Sequence, residues 1–329
     1  MELINKFSHI VPTTLVLLIL SAIPSVAQDT GVLVLAHGGS QEWNEAVIEA
    51  TEPLKENYKV EVAFGMANYV TMHHAIKSLE ELGVNRIAVV QLFISSYSPI
   101  IRQNRYLLGK RDSLPDPKMP LMHHIDEYKQ MMGIKEDSST HASDGRHRFY
   151  MPENLPQIST DVDIALAPPL DDHPVVARIL SERIQELSSD PSSETVLLVA
   201  HGPNAEADNK KWIDTMESLS RKIQSIQKEK GIPYKQIFAT TVRDDASDTI
   251  FNQAKANLRA LVRQAVQFGD VIVVPLFLSS GGREQAVAER LEGLDFKWSG
   301  KTLLPDPLIT DFLRQSVEEA LSQQFQSQN

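Results

Sequence analysis

The amino-acid sequence predicts an α/β protein of two similar, three-layer parallel-sheet domains related by internal duplication. Three observations predict this class. Four apolar blocks occur twice in the same order. Each is a short run of Val, Ile and Leu without polar alternation, closed by Gly, Ser or Pro, as strands buried on both faces of a parallel sheet read. Segments of helical period stand between the blocks, and strand alternating with helix implies right-handed βαβ crossovers. The chain of 329 residues, 42% hydrophobic and 23% charged, accommodates about two cored domains and is too apolar for wholesale disorder.

Taken in order, the apolar stretch from Val11 to Val26 follows Lys6 and leads into Ser25-Val26-Ala27, which offers small residues where a signal peptidase reads. The stretch is short for a span of ~20 residues and is broken by Pro24. A signal peptide over residues 1–27 is therefore expected, with export to the periplasm or beyond and membrane contact only in transit. The first block, GVLVLAHG from Gly31 to Gly38, answers TVLLVAHG from Thr195 to Gly202. Amphipathic segments from Trp43 to Leu54 and from Trp212 to Ile226 follow. The second block, VEVAF from Val60 to Phe64, answers QIFAT from Gln236 to Thr240, before helices from Thr71 to Leu82 and Asp248 to Phe268. The third, VVQLFISS from Val89, answers VVPLFLSS from Val273. The fourth, LAPPL from Leu166 to Leu170, answers LPDPL from Leu304 to Leu308, and each leads into a helix. The first half carries an insert of about 46 residues, near 112–158, where loops longer than ~15 residues are uncommon. It is rich in Met, His, Asp and Ser and is expected as a polar surface loop. Ser188-Ser-Asp-Pro-Ser-Ser193 reads as the linker between domains at 28–189 and 194–329.

Composition narrows the chemistry. Lys and Arg number 32 against 43 Asp and Glu, a net charge of −11 without a basic block, which argues against nucleic acid as a partner. The absence of cysteine excludes disulfides, thiolate metal sites and cysteine nucleophiles, and suits an oxidising compartment. Gly300-Lys301-Thr302 is a P-loop near miss, because Asp295 stands where the first glycine is needed. His37-Gly38-Gly39 has the look of an esterase oxyanion loop, yet no Gly-x-Ser-x-Gly turn occurs.

Ligands of open α/β sheets bind outside the carboxyl ends of the strands. There the sequence places His37-Gly38-Gly39-Ser40, His201-Gly202-Pro203-Asn204, Ser95 to Pro99 and Ser279 to Arg283. A histidine directly after a buried strand can ligate a divalent metal or exchange a proton near neutrality; it can equally do no more than hydrogen-bond the next loop.

These blocks, with His-Gly-Gly-Ser at 37–40, Val273 to Gly282, and Pro-Leu-Asp-Asp-His-Pro from Pro169 to Pro174, resemble the sirohydrochlorin cobaltochelatase family, class II tetrapyrrole chelatases. The resemblance implies two α/β domains facing a cleft, in which histidines present a divalent ion, cobalt or nickel, to a flat tetrapyrrole. It implies His37 as the catalytic and metal-holding histidine and His201 as its counterpart. The family's second histidine is replaced by Pro99 in the first domain and Arg283 in the second, and neither can ligate. His73 and His74, or His141 and His147 of the insert with His123, His124, Asp126 and Glu127 nearby, are the candidates to complete the metal site; a solvated loop is the alternative. Ser40, Arg102, Arg105 and Arg283 are candidate substrate contacts, with Lys110 and Arg290 as further cations; ordinary helix surface is the other reading. Three functions stay open at this point. One is a metal-ion lyase acting on a sirohydrochlorin-type tetrapyrrole. Another is an exported metal- or tetrapyrrole-binding protein of the same fold without turnover, which export, Pro99 and Arg283 favour. The third is a periplasmic solute-binding protein, by fold analogy alone.

Overall fold

A computed structural model describes residues 29–134, 141–143 and 147–327. The expected signal peptide lies outside them. From the amino end the chain runs β1 (Thr30–Ala36), α1 (Gln41–Thr51), β2 (Lys59–Phe64), α2 (Tyr69–Glu81), β3 (Arg86–Leu92) and α3 (Pro99–Leu107). Then come α4 (Ile125–Met131), the hairpin strands β4 (His141–Ser143) and β5 (His147–Phe149), β6 (Asp163–Leu166) and α5 (Pro174–Gln185). The second half follows as β7 (Thr195–Ala200), α6 (Glu206–Glu229), β8 (Gln236–Thr241), α7 (Asp248–Ala265), β9 (Val271–Leu276), α8 (Arg283–Arg290), β10 (Lys297–Trp298) and α9 (Pro307–Ser327). No helix of the described residues is long and apolar enough to cross a membrane.

Both main sheets are parallel, in the orders β2-β1-β3-β6 and β10-β9-β7-β8. Strands β1 and β7 are central, and every residue of each is buried, which explains their unbroken apolar sequences. In β1, Val32, Val34 and Ala36 face one helix layer while Leu33 and Leu35 face the other. Strand β7 divides likewise, with Val196, Leu198 and Ala200 inward and Leu197 and Val199 outward.

The inward faces share one core. Helices α1 and α6 lie in it beside α5 and α9, whose placement crosses the domains. Helix α5, from the first half, packs against β9 and α6, whereas α9, from the end of the chain, packs against β3, β6 and α1. Ile309, Phe312, Leu313 and Val317 of α9 are buried there, each worth about 1.5–3 kcal/mol of apolar transfer. Thr310 adds a hydrogen bond from its Oγ1 to the Ala50 carbonyl, 2.9 Å away.

The repeat's blocks need two corrections of register. Lys59 pairs with Gly31 and Gln236 with Thr195, so Lys59, not Val60, is the counterpart of Gln236. In the fourth block Leu170 N bonds Phe93 O at 3.0 Å and Leu303 N bonds Phe277 O at 2.9 Å. Leu170 therefore corresponds to Leu303, and Pro174 to Pro307, not Leu166 to Leu304. Short apolar runs slide along one another in sequence at little cost; backbone hydrogen bonds fix which residues correspond.

The insert also departs from the expected surface loop. Its Leu121, Ile125, Tyr128, Tyr150, Leu155 and Ile158 are buried against the outer face of the first sheet. Tyr128 has no exposed surface, and its hydroxyl donates to Asn154 O at 2.9 Å. Helix α4 is only 7 residues long and the other anchors are scattered, so no sustained period marks the segment in sequence.

Candidate functional site

His37 and His201 stand one residue beyond β1 and β7, at equivalent strand ends. Each is followed by a glycine at positive φ, 79° at Gly38 and 74° at Gly202, a conformation that L side chains rarely adopt. That turn carries each glycine carbonyl back to its histidine: Nδ1 lies 2.7 Å from Gly38 O and 2.7 Å from Gly202 O. A carbonyl only accepts, so Nδ1 donates in both rings and the lone pair of the neutral ring falls on Nε2. Hydrogen bonds of this kind orient imidazoles that ligate metals.

Beyond this shared lock the two rings differ. Among the described residues no hydrogen bond reaches His37 Nε2. The ring lies 6.4 Å between centroids from Trp43, which itself stands edge-on to Phe64. A Cβ on Gly281 would come within 3.4 Å of the Trp43 ring, so the loop after β9 closes on the first domain there. Desolvation by the surrounding protein, together with Arg283 and His201, holds the His37 pKa below the ordinary imidazole value, against the Gly38 carbonyl and Asp245. A lowered imidazole pKa favours the neutral ring, whose Nε2 lone pair can ligate.

His201 Nε2, in contrast, meets Arg283 Nη1 at 2.8 Å and Asp245 Oδ2 at 3.1 Å. Arg283 Nη1 also lies 3.2 Å from Asp245 Oδ1, so the imidazole and the carboxylate share one guanidinium. Asp245 escaped the sequence reading. Its signal was position, in the loop after β8 at the same crevice edge. Arg243, at φ 52°, clamps the histidine loop, donating from Nε to Pro203 O at 3.2 Å and pairing through Nη1 with Glu206 at 2.5 Å.

The other candidates have structural partners. Ser40 Oγ caps α1, accepting from Trp43 N at 3.3 Å. Arg102 forms a two-pronged pair with Asp208 of α6, at 3.0 and 2.8 Å, and so ties the domains together. Arg290 donates to Val242 O at 2.7 Å, pairs with Asp244 and stacks on Phe251. Arg105 and Lys110 are exposed. Pro99 occupies the first position of α3, where a missing N–H costs nothing, with Ser98 as the cap.

His74 turns toward the insert. His74 Nε2 lies 3.1 Å from Glu127, whose other oxygen lies 3.1 Å from His124 Nδ1, and the His73 ring stacks on Tyr69. The side chains of His141 and His147 lie outside the described residues. Among the described residues no three His, Asp or Glu side chains converge to hold a metal ion. Of the two strand-end imidazoles, His37 is the one whose Nε2 no described residue engages.

The Pro169 to Pro174 block is a latch. Asp171 takes Ser96 N at 2.8 Å and Ser96 Oγ at 2.5 Å, and burial raises its pKa against those bonds. Asp172 pairs with Lys222 of α6 at 2.6 Å.

Residues 31–98 match the CbiX family model. No sequence among the curated proteins matches the chain. In structure the chain is similar to SirB from Bacillus subtilis with Fe3+, at TM-score 0.54 and 13% identity over 89% of this chain and 95% of that one. SirB from Bacillus subtilis subspecies spizizenii in complex with cobalt gives TM-score 0.52 and 14% identity over the same 89% and 95%. DR2241 from Deinococcus radiodurans, a multi-domain protein with structural similarity to chelatases, gives 0.50 and 15% over 89% of this chain and 55% of that one. The chain therefore has the two-domain fold seen in SirB, and its segment 31–98, which holds β1, His37 and β3, is matched by the CbiX family.

Proposed function

We propose that this protein is a chelatase-like metal-ion lyase that presents a divalent ion, cobalt or a similar ion such as nickel, to a sirohydrochlorin-type tetrapyrrole. The observation that carries this reading is His37: a ring fixed through Nδ1, an unengaged Nε2 and a place inside the matched segment. The metal complexes named for the SirB structures support it. In the reaction His37 Nε2 would hold the partly dehydrated ion while the pyrrole nitrogens take it and give up two protons to solvent water. The depressed His37 pKa favours ligation over proton capture. Arg105, an exposed cation of α3, is the candidate to meet a macrocycle carboxylate. Export through the leader at 1–27 belongs to the same proposal, supported by its apolar stretch and Ser25-Val26-Ala27.

The second reading is a binding protein of this fold without turnover. The pairing of His201 with Arg283 favours it, because only one strand-end imidazole is left open. Incubation with sirohydrochlorin and cobalt(II), followed by absorbance, separates the two. Metallation that His37→Ala lowers at least tenfold supports the lyase. Cobalt binding without metallation supports the binding protein. Cobalt binding at about pH 7.5 that is unchanged in His37→Ala overturns both, since free imidazole is neutral there.

A further inference from the structure

The two halves of the cleft are built alike up to their histidines and then part. In the second, His201 Nδ1 donates to Gly202 O, which leaves a lone pair on Nε2. Asp245 Oδ2 lies 3.1 Å from that same nitrogen. Two acceptors this close repel each other unless a positive group stands beside them. A nitrogen and a carboxylate oxygen at this spacing are also a donor pair suited to a first-row divalent ion. Arg283 fills the gap. Its Nη1 lies 2.8 Å from His201 Nε2 and 3.2 Å from Asp245 Oδ1.

We infer that the Arg283 guanidinium is a tethered substitute for a metal ion in the second domain, seated between His201 Nε2 and Asp245 so that this pair is denied to divalent cations. The backbone makes the placement specific. Arg283 is the first residue of α8, directly after Gly282 at φ 90°, and from there its Nη1 reaches both His201 and Asp245. Arginine is a permanent cation with a planar fork of donors, suited to face two acceptors at once. A lysine would be a poorer plug, being a compact and strongly hydrated charge without the planar fork that reaches two acceptors at once. The asymmetry follows: the first domain offers an open imidazole in His37, and the second offers a pair already neutralised from within. This last point rests on the reading of His37 given above; the plug itself does not.

The test uses the full chain in a His37→Ala background, which removes the first-domain site and makes the result independent of that reading. Isothermal titration with cobalt(II) chloride is run on His37→Ala, on His37→Ala/Arg283→Ala and on His37→Ala/Arg283→Gln. The Gln variant keeps side-chain bulk at a half-exposed position, and circular dichroism checks folding in each. Both Arg283 substitutions are expected to gain one cobalt equivalent, bound at least tenfold tighter than any residual site, and a further His201→Ala change is expected to remove it. If the Arg283 variants bind no more cobalt than their background, the inference is overturned. It is equally overturned if His37→Ala alone still binds an equivalent that His201→Ala abolishes. Failure of the proposed function shows elsewhere, as cobalt binding by the parent that His37→Ala leaves untouched.

Discussion

Gly38 and Gly202 hold equivalent turns, yet they tolerate a side chain unequally. A Cβ on Gly38 would meet Phe64 Cβ at 3.2 Å, a contact that a small shift relieves. On Gly202 it would lie 2.4 Å from Thr241 Cβ, which belongs to β8 and cannot withdraw. Both substitutions to alanine carry the left-handed backbone penalty of about 1–2 kcal/mol. Gly202→Ala adds overpacking of about 1–3 kcal/mol. Urea titrations should therefore rank parent above Gly38→Ala above Gly202→Ala. Equal losses would show that the Thr241 contact gives way. Each ring lock depends on its glycine turn, so Gly38→Ala should also weaken cobalt binding while most of the protein remains folded.

Among the elements, the entry to β7 shows how a buried charge is made tolerable. Glu194 is fully buried at the end of the interdomain linker. Burial pushes its pKa up, but Lys297 of β10 at 2.7 Å, the Ser188 hydroxyl and Ser189 N overcome that and hold it down at about 2. A depressed carboxyl contributes stability that is complete above its unfolded value, near 4.5, and is lost as pH falls toward about 2. From the size of that shift the contribution is on the order of 3 kcal/mol. Glu194→Gln should cost about that much at pH 7 and flatten the acid limb between pH 4.5 and 2 in thermal melts. An unchanged acid limb would show that other carboxylates govern it. The same contact fastens the short edge strand β10 to the linker, which otherwise carries no regular secondary structure.

At the scale of the whole molecule the exchange of α5 and α9 makes the halves interdependent. The inner face of the first sheet is covered by a helix from the far end of the chain. A chain ending at Asp306 loses Ile309, Phe312, Leu313, Val317 and Ala320 from the shared core. At about 1.5–3 kcal/mol for each large side chain, the loss is comparable with the ~5–15 kcal/mol that holds a domain folded. Such a truncation, and residues 29–190 expressed alone, should lack a cooperative unfolding transition in calorimetry. A sharp transition in either would show that the first domain closes its core by itself. Across the domains, Arg102 with Asp208 and the Trp212 indole N–H on Tyr97 O at 2.8 Å brace the cleft walls.

The sequence by itself determined the α/β class, the recurrence of the blocks and the placing of His37 and His201 at strand ends. Central parallel strands are buried on both faces and so are written as unbroken apolar runs, and the residue after such a run lies at the crevice by rule. The tertiary structure decided what local pattern cannot encode. Which sheet α5 and α9 cover depends on chain path, since an apolar stripe is the same whichever partner it meets. That the insert folds depends on single anchors such as Tyr128. That Arg102 braces the domains and Arg283 closes on His201 depends on residues distant in sequence, Asp208 and Asp245, whose approach exists only once the sheets have packed. Two histidines alike in sequence, and alike in their glycine turns, thus acquire opposite environments because the groups facing Nε2 come from other loops.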